Sequence, residues 1–173
     1  MTAYVALLRA VNVGGTGKLP MTELKAMCDA VGFVKARTYI ASGNALFESD
    51  LAEAEVQAAL AQALERYAGA PVGVLVRTAA EMADVAAANP FAGQPGNRVT
   101  AIFLDAPPPP DALDALDAAV GVTVEVMALG RREIYVHYPE GQADTKLRIP
   151  AAKNGTARNL NTVAKLAELA AAL

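Results

Sequence analysis

Tyr4-Val5-Ala6-Leu7-Leu8-Arg9-Ala10-Val11 runs into Asn12-Val13-Gly14-Gly15-Thr16-Gly17-Lys18, and that loop runs into Leu19-Pro20-Met21. The first piece is apolar apart from Arg9, as a strand buried on at least one face must be. The second is a glycine-rich turn. The third places Pro20 where a helix opens, because its fixed φ suits the first turn and its missing N–H has no intrahelical acceptor there. Met21, Leu24, Met27, Cys28 and Val31 then recur at helical spacing, and Gly32 closes the helix.

The same reading extends outward. Val34–Ile40 alternates, Ala41-Ser42-Gly43-Asn44 is turn chemistry, and Ala45–Phe47 resumes a strand, so a hairpin is expected. Val56, Leu60, Leu64 and Tyr67 form the stripe of a helix over 51–67, ended by Gly69 and Pro71, and Val72–Arg77 is a further strand. The order βαββαβ predicts two split βαβ units, an antiparallel sheet with both helices on one face. After an Ala-rich helix over 79–88 and the loop 89–97, a similar cycle begins. It comprises strand 99–104, stiff Pro107–Pro110, helix 111–120, strand 122–127, a turn at Gly130 and strand 133–138. A short helical segment is expected near 144–149, and a helix from about Ala157 to Ala171 carries Leu160, Val163, Leu166 and Ala170 on one stripe. The expected fold class is therefore α+β. It has a ferredoxin-like (alpha-beta plait) module over 1–78, and a second plait-like module over 79–173 that lacks a clear fourth strand and ends in a C-terminal helix.

A chain of 173 residues buries roughly two-thirds of its extended surface, enough for a core without metals or disulfides. One His and one Cys exclude a four-ligand zinc site and a disulfide framework. No run approaches the roughly 20 apolar residues that span a bilayer, and the N-terminus lacks a signal-peptide pattern. A cytoplasmic address without membrane association is expected, and no cofactor is implied.

Charge is unevenly spread. Residues 1–78 carry 7 basic and 7 acidic side chains, residues 79–143 are net −6, and residues 144–173 are net +3. Lys146, Arg148, Lys153, Arg158 and Lys165 follow one another with no carboxylate among them. Such asymmetry points to an anionic partner, although a solvated basic face beside an acidic one has the same pattern. The glycine loop is not a P-loop, since Asn12 stands at its first required glycine and Leu19 where Ser or Thr must bind magnesium. Its backbone donors still suit a small anion. Arg158 falls in the first turn of the expected last helix, where the macrodipole disfavours a cation.

The leading expectation is therefore a phosphate- or carboxylate-bearing small ligand held where the glycine loop meets the C-terminal helix. Lys18, Lys146 and Arg158 would neutralise it; Asn12, Asn44, Asn159 and Asn161 would orient it. Arg9, Gly14, Gly15, Tyr39 and Ser42 complete the candidate set. No catalytic residue is assigned: His137 with Glu125 as its orienter is a weak acid–base candidate, and helical patterning turns Cys28 inward. The alternative is an interaction module whose open sheet faces pair with a partner or a second copy as a homodimer. A lesser one is weak single-stranded nucleic-acid binding by stacking on Tyr39 between Lys35 and Arg37, although no RNA-recognition string is present. Asp111, Asp114 and Asp117 fit a helix start better than a metal site.

Several strings occur in order along the chain: ALLRAVNVGG (6–15), Met21-Thr22-Glu23-Leu24, Arg37-Thr38-Tyr39-Ile40, Ser42-Gly43-Asn44, Asn89-Pro90-Phe91, Thr145-Lys146-Leu147, and residues 156–163. Together they resemble the bacterial domain-of-unknown-function family 1697. That resemblance implies two ferredoxin-like plaits in one chain and brings no activity or catalytic residue. The sequence departs from the family pattern at Leu160, where Trp is usual, and at Thr145, where Ser is usual. The first departure makes packing the simpler role for position 160.

Overall fold

The structure, a computed structural model, describes residues 1–13, 17–114, 124–143, 145 and 147–173. Gly14, Gly15, Lys146, Asp117, and the expected helix and strand over 115–123 lie outside the described residues. The fold is α+β with two four-stranded antiparallel sheets and, among the described residues, four α-helices. The chain divides into two compact units, Met1–Ala83 with Lys165–Leu173, and Asp84–Ala164.

In the first unit the elements are β1 (Thr2–Leu8), α1 (Met21–Ala30), β2 (Val34–Thr38), β3 (Asn44–Ser49), α2 (Glu53–Ala68) and β4 (Val74–Thr78), followed by α3 (Ala79–Ala87). The sheet order is β2-β3-β1-β4, with β1 central. Alternation sends Tyr4, Ala6, Leu8, Ala45, Phe47, Val74 and Val76 to one face. There they form a core with Leu24 and Cys28 of α1 and Val56, Leu60 and Leu64 of α2. Phe33 stacks on Phe47 at 4.1 Å, anchoring the chain as it leaves α1. Cys28 is fully buried and burial pushes its thiol up to about 12, so it is no nucleophile. Thr78 and Glu81 cap α3 reciprocally, each accepting the other's backbone N–H.

The second unit contributes β5 (Val99–Phe103), β6 (Val126–Leu129), β7 (Glu133–His137) and β8 (Thr156–Asn159) in the order β6-β7-β5-β8. The last helix is α4 (Leu160–Ala171). Ile134, Val136, Leu104 and Tyr138 form the core of one face, with Ile102, Met127, Leu147 and Ile149 against it. Residues 111–114 form turns, and the short helical turn after 147–149 is the 3-10 segment Pro150–Ala152.

Two expectations change here. The second sheet has its fourth strand: residues 156–159 are not the start of the last helix but β8, paired with β5 so that Arg158 lies opposite Ala101. Long-range pairing overrides the helical stripe that begins at Leu160. Nor does the first sheet leave a face open. Val5, Leu7, Leu46 and Leu75, which point away from α1 and α2, are buried to 4 % exposure or less. The corresponding face of the second sheet buries Val99, Ala101, Phe103 and Tyr135.

Candidate ligand site at the loop end of the first sheet

The chain leaves β1 into a knot of backbone bonds. Leu8 N–H donates to Gly43 O at 2.9 Å and Arg9 N–H to Gly73 O at 2.8 Å, so the β1–α1 loop, the β2–β3 hairpin and the start of β4 meet at one end of the sheet. Ala10 and Asn12 adopt left-handed φ of 56° and 54°, and Asn12 N–H donates to Gly17 O at 3.0 Å. The Asn12 side chain closes the knot. Its Oδ1 accepts Leu19 N–H at 2.8 Å, and its Nδ2 donates to Leu19 O at 2.9 Å and to Ala41 O at 2.8 Å. Both amide hydrogens are committed, so Asn12 holds loop to hairpin rather than presenting itself to a ligand.

Asn44 does the same for the hairpin. It is fully buried, and its Nδ2 donates to Tyr39 O at 2.9 Å and Ser42 Oγ at 3.1 Å. Gly43, at φ 91°, admits no side chain: a Cβ there would stand 2.5 Å from Val11 Cγ2 and 2.9 Å from Leu8 Cβ. Arg9 is exposed, with its stem over Gly73. The structure thus brings Arg9, Asn12, Lys18, Tyr39, Ser42 and Asn44 to one end of one sheet.

Lys18 differs from its neighbours. It is exposed, and no described residue pairs with its ammonium. It lies at a cleft of about 390 Å³ lined by Gly17, Lys18, Leu19, Leu64, Tyr67, Ala68 and Val72. One wall is the last turn of α2, which Gly69 terminates in a left-handed conformation, donating to Glu65 O at 2.9 Å. Leu19, Leu64 and Val72 make the wall apolar, and Tyr67 leaves 47 % of its surface in solvent. Leu64 and Tyr67 belong to the helical stripe read in the sequence, but Val72 and the cleft itself required the fold.

The other expected ligands lie in the second unit. Arg158 is 6 % exposed; its Nη1 donates to Thr156 Oγ1 at 2.8 Å and Ala157 O at 2.9 Å, and burial brings its guanidinium down to about 10. It is a buried strand residue, which removes the macrodipole argument made for it. Asn159 caps α4, its Oδ1 accepting Thr162 N–H at 2.9 Å. Asn161 packs on Gly96, where a Cβ would meet its Oδ1.

The acid–base pair is also dissolved. Val126, not Glu125, lies opposite His137, so alternation sends Glu125 to the other face, where its carboxylate accepts Thr145 Oγ1–H at 2.5 Å. His137 instead faces the Phe91 ring at 5.8 Å. For the nucleic-acid reading, Lys35 is paired with Glu48 at 3.2 Å, and Tyr39 lies beyond the end of β2. Among the described residues no group of three or more His, Cys, Asp or Glu could hold a metal, and no helix is long and apolar enough to cross a membrane.

A family model described as "Protein of unknown function (DUF1697)" matches residues 1–135. The chain is similar to the solved structure of the conserved bacterial protein SP0830 from Streptococcus pneumoniae, at 22% identity and a TM-score of 0.78 over 98% of each chain. No curated protein matches it significantly.

Proposed function

The chain belongs to the DUF1697 family, and from that premise we propose that its first unit binds a small cytoplasmic carboxylate with an apolar or aromatic body. The carboxylate sits at Lys18 and the body lies in the cleft against Leu64, Val72 and Tyr67. The observation that carries this is the coincidence of an ammonium without a partner among the described residues and an apolar cleft of about 390 Å³. Small-ligand sites have this form, mostly apolar walls with a few placed polar groups. A single cation among the described lining residues favours a monoanion over a polyphosphate. The negative end of α2, close by, works in the same direction. We read both sheets, by their strand order, as ferredoxin-like plaits, a fold that carries many unrelated functions, so the site and not the fold argues the ligand.

Thermal-shift and calorimetric titration with benzoate, hexanoate and inorganic phosphate test the reading. A carboxylate present at 100 times its Kd stabilises the wild type by about 2.7 kcal/mol. Lys18→Gln abolishes that gain, Tyr67→Ala weakens benzoate more than hexanoate, and Arg37→Gln changes neither. The proposal fails if no probe stabilises the wild type more than Lys18→Gln.

A further inference from the structure

Seven asparagines stand in the chain, and one of them, Asn154, is followed by glycine. In that dipeptide no side chain obstructs the approach of the following amide nitrogen to the asparagine carboxamide. Asn12, Asn44 and Asn159 are engaged as the loop clamp, the hairpin donor and the cap of α4. Asn154 is exposed, and no described residue bonds to its side chain. It lies in the turn between the 3-10 segment Pro150–Ala152 and β8. Two features restrain that turn. Gly155 N–H donates to Ala152 O at 3.0 Å, and Gly155 lies hard against β5, where a Cβ on it would stand 2.8 Å from Phe103 O and 2.9 Å from Ile102 Cγ2. The next residue, Thr156, pairs opposite Phe103 at one end of the β5–β8 ladder.

We propose that Asn154 is a site of self-modification, at which the chain loses ammonia through a succinimide, and that the turn from Ala152 to Gly155 is the gate on that reaction. The Gly155 nitrogen gives its proton to hydroxide and attacks Asn154 Cγ. The new C–N bond closes a five-membered ring as the Cγ–Nδ2 bond breaks, and ammonia departs, taking up a proton from water. Water then opens the ring at either carbonyl, leaving aspartate or, where the main chain now runs through Cβ, isoaspartate. Water is the one reagent consumed, and hydroxide is regenerated. While Gly155 N–H is bonded to Ala152 O and the residue is held against Phe103, the nitrogen is not free to swing onto Cγ. The folded chain therefore reacts when the turn opens. β8 is last in the strand order of its sheet, so opening at its start costs less than global unfolding. The two products differ in their effect. Aspartate keeps the length of the backbone. Isoaspartate inserts a methylene into the main chain directly before Gly155, which has no room to shift toward β5, so Thr156 leaves its register with Phe103.

The test incubates the full-length protein at neutral pH, folded and in concentrated urea. Peptide mass mapping follows conversion at each asparagine, and an isoaspartate-specific methyltransferase reports the isomer. Asn154 is expected to convert first, and at least roughly tenfold faster in urea than in the folded chain. Pro150→Gly frees the backbone of the turn, and is expected to raise the folded-state rate severalfold while leaving the rate in urea unchanged. Hydrogen exchange over residues 156–159 then separates the products. The isoaspartate fraction is expected to lose protection by roughly tenfold or more, whereas Asn154→Asp, which adds the charge without the methylene, keeps it. Another asparagine converting before Asn154, or a folded chain that stays unconverted, overturns the site. Equal rates in urea and in the folded chain, or a Pro150→Gly rate unchanged from wild type, overturn the gate. An isoaspartate fraction protected like the wild type overturns the effect on β8.

Discussion

Replacing Asn12 tests whether the loop knot is what the β1–α1 sequence encodes. Asn12→Ala removes the acceptor of Leu19 N–H and the donor to the carbonyls of Leu19 and Ala41. Leu19 is 4 % exposed, whereas the bond to Ala41 is exposed. Three partly solvated bonds at the low end of their usual range contribute about 2 kcal/mol. Ala at φ 54° adds about 1 kcal/mol of left-handed strain that Asn tolerates. The expected loss is about 3 kcal/mol, or roughly 6–12 °C in Tm for a chain of this size. Asn12→Asp separates the terms. It keeps the acceptor and the tolerance for φ but turns a carboxylate toward two carbonyl oxygens. Those oxygens raise its pKa in the folded state, so the protonated form, which can donate once, is favoured by folding. The variant should therefore lose more stability at pH 7 than at about pH 4, relative to wild type at the same pH. Urea unfolding followed by circular dichroism reads both. A loss below about 1 kcal/mol for Asn12→Ala, or an Asn12→Asp deficit independent of pH, would refute the clamp.

Gly43→Ala must be accommodated both at φ 91° and against Val11 and Leu8, and is expected to cost about 2–4 kcal/mol in urea unfolding; Val11→Ala in the same chain recovers part of this. Asn159→Ala removes the cap on α4 and should cost about 1 kcal/mol, with Asn159→Asp nearly neutral by the same assay. Burial raises the Cys28 thiol from its ordinary 9.0 to about 12, so between those values only the folded state holds the proton. Stability should fall by up to about 1.4 kcal/mol per pH unit as pH rises from 9. Tyr135, raised to about 12 by burial, adds to the fall above pH 10, while Arg158, lowered to about 10, opposes it. Denaturant titrations from pH 8 to about 10, just above the ordinary value of a cysteine thiol, should show Cys28→Ala lacking the decline that the wild type shows.

The first sheet was legible because its signals are local. An apolar run, a proline at a helix start and a turn before Asn44 act within a few residues, and β1, α1, α2 and β4 lie within a few residues of where those signals place them. Where the sequence misled, the deciding partner was far away. Thr156-Ala157-Arg158-Asn159 adjoins a strong helical stripe, and only pairing with β5, more than fifty residues earlier, makes it a strand. One local cue did point there: Asn159 directly precedes Leu160, the first residue of the stripe, which is the ordinary place for a cap. The separation of Glu125 from His137 turned on a register of one residue, which alternation within each strand leaves open.

The same distinction bears on what the motif residues are for. Asn12, Gly43 and Asn44 attract attention because their types are rare inside strands, and rarity invites a chemical reading. Each has a conformational or hydrogen-bonding task that its type uniquely meets: Asn12 a left-handed φ with a two-way amide, Gly43 a position without room for a Cβ, Asn44 a buried donor to the hairpin carbonyl. Residues so employed have little capacity left for a ligand. What Asn12 does is hold the backbone at Leu19, next to Lys18, and a cation on a held backbone binds with less loss of entropy than one on a mobile backbone. Loosening the clamp should therefore weaken the proposed carboxylate binding at Lys18, although Asn12 itself has both amide hydrogens committed to backbone carbonyls. Asn12→Ala and Lys18→Gln should both lower affinity, but only Asn12→Ala should also lower stability in the ligand's absence. If Asn12→Ala binds as tightly as the wild type, the clamp serves the fold alone.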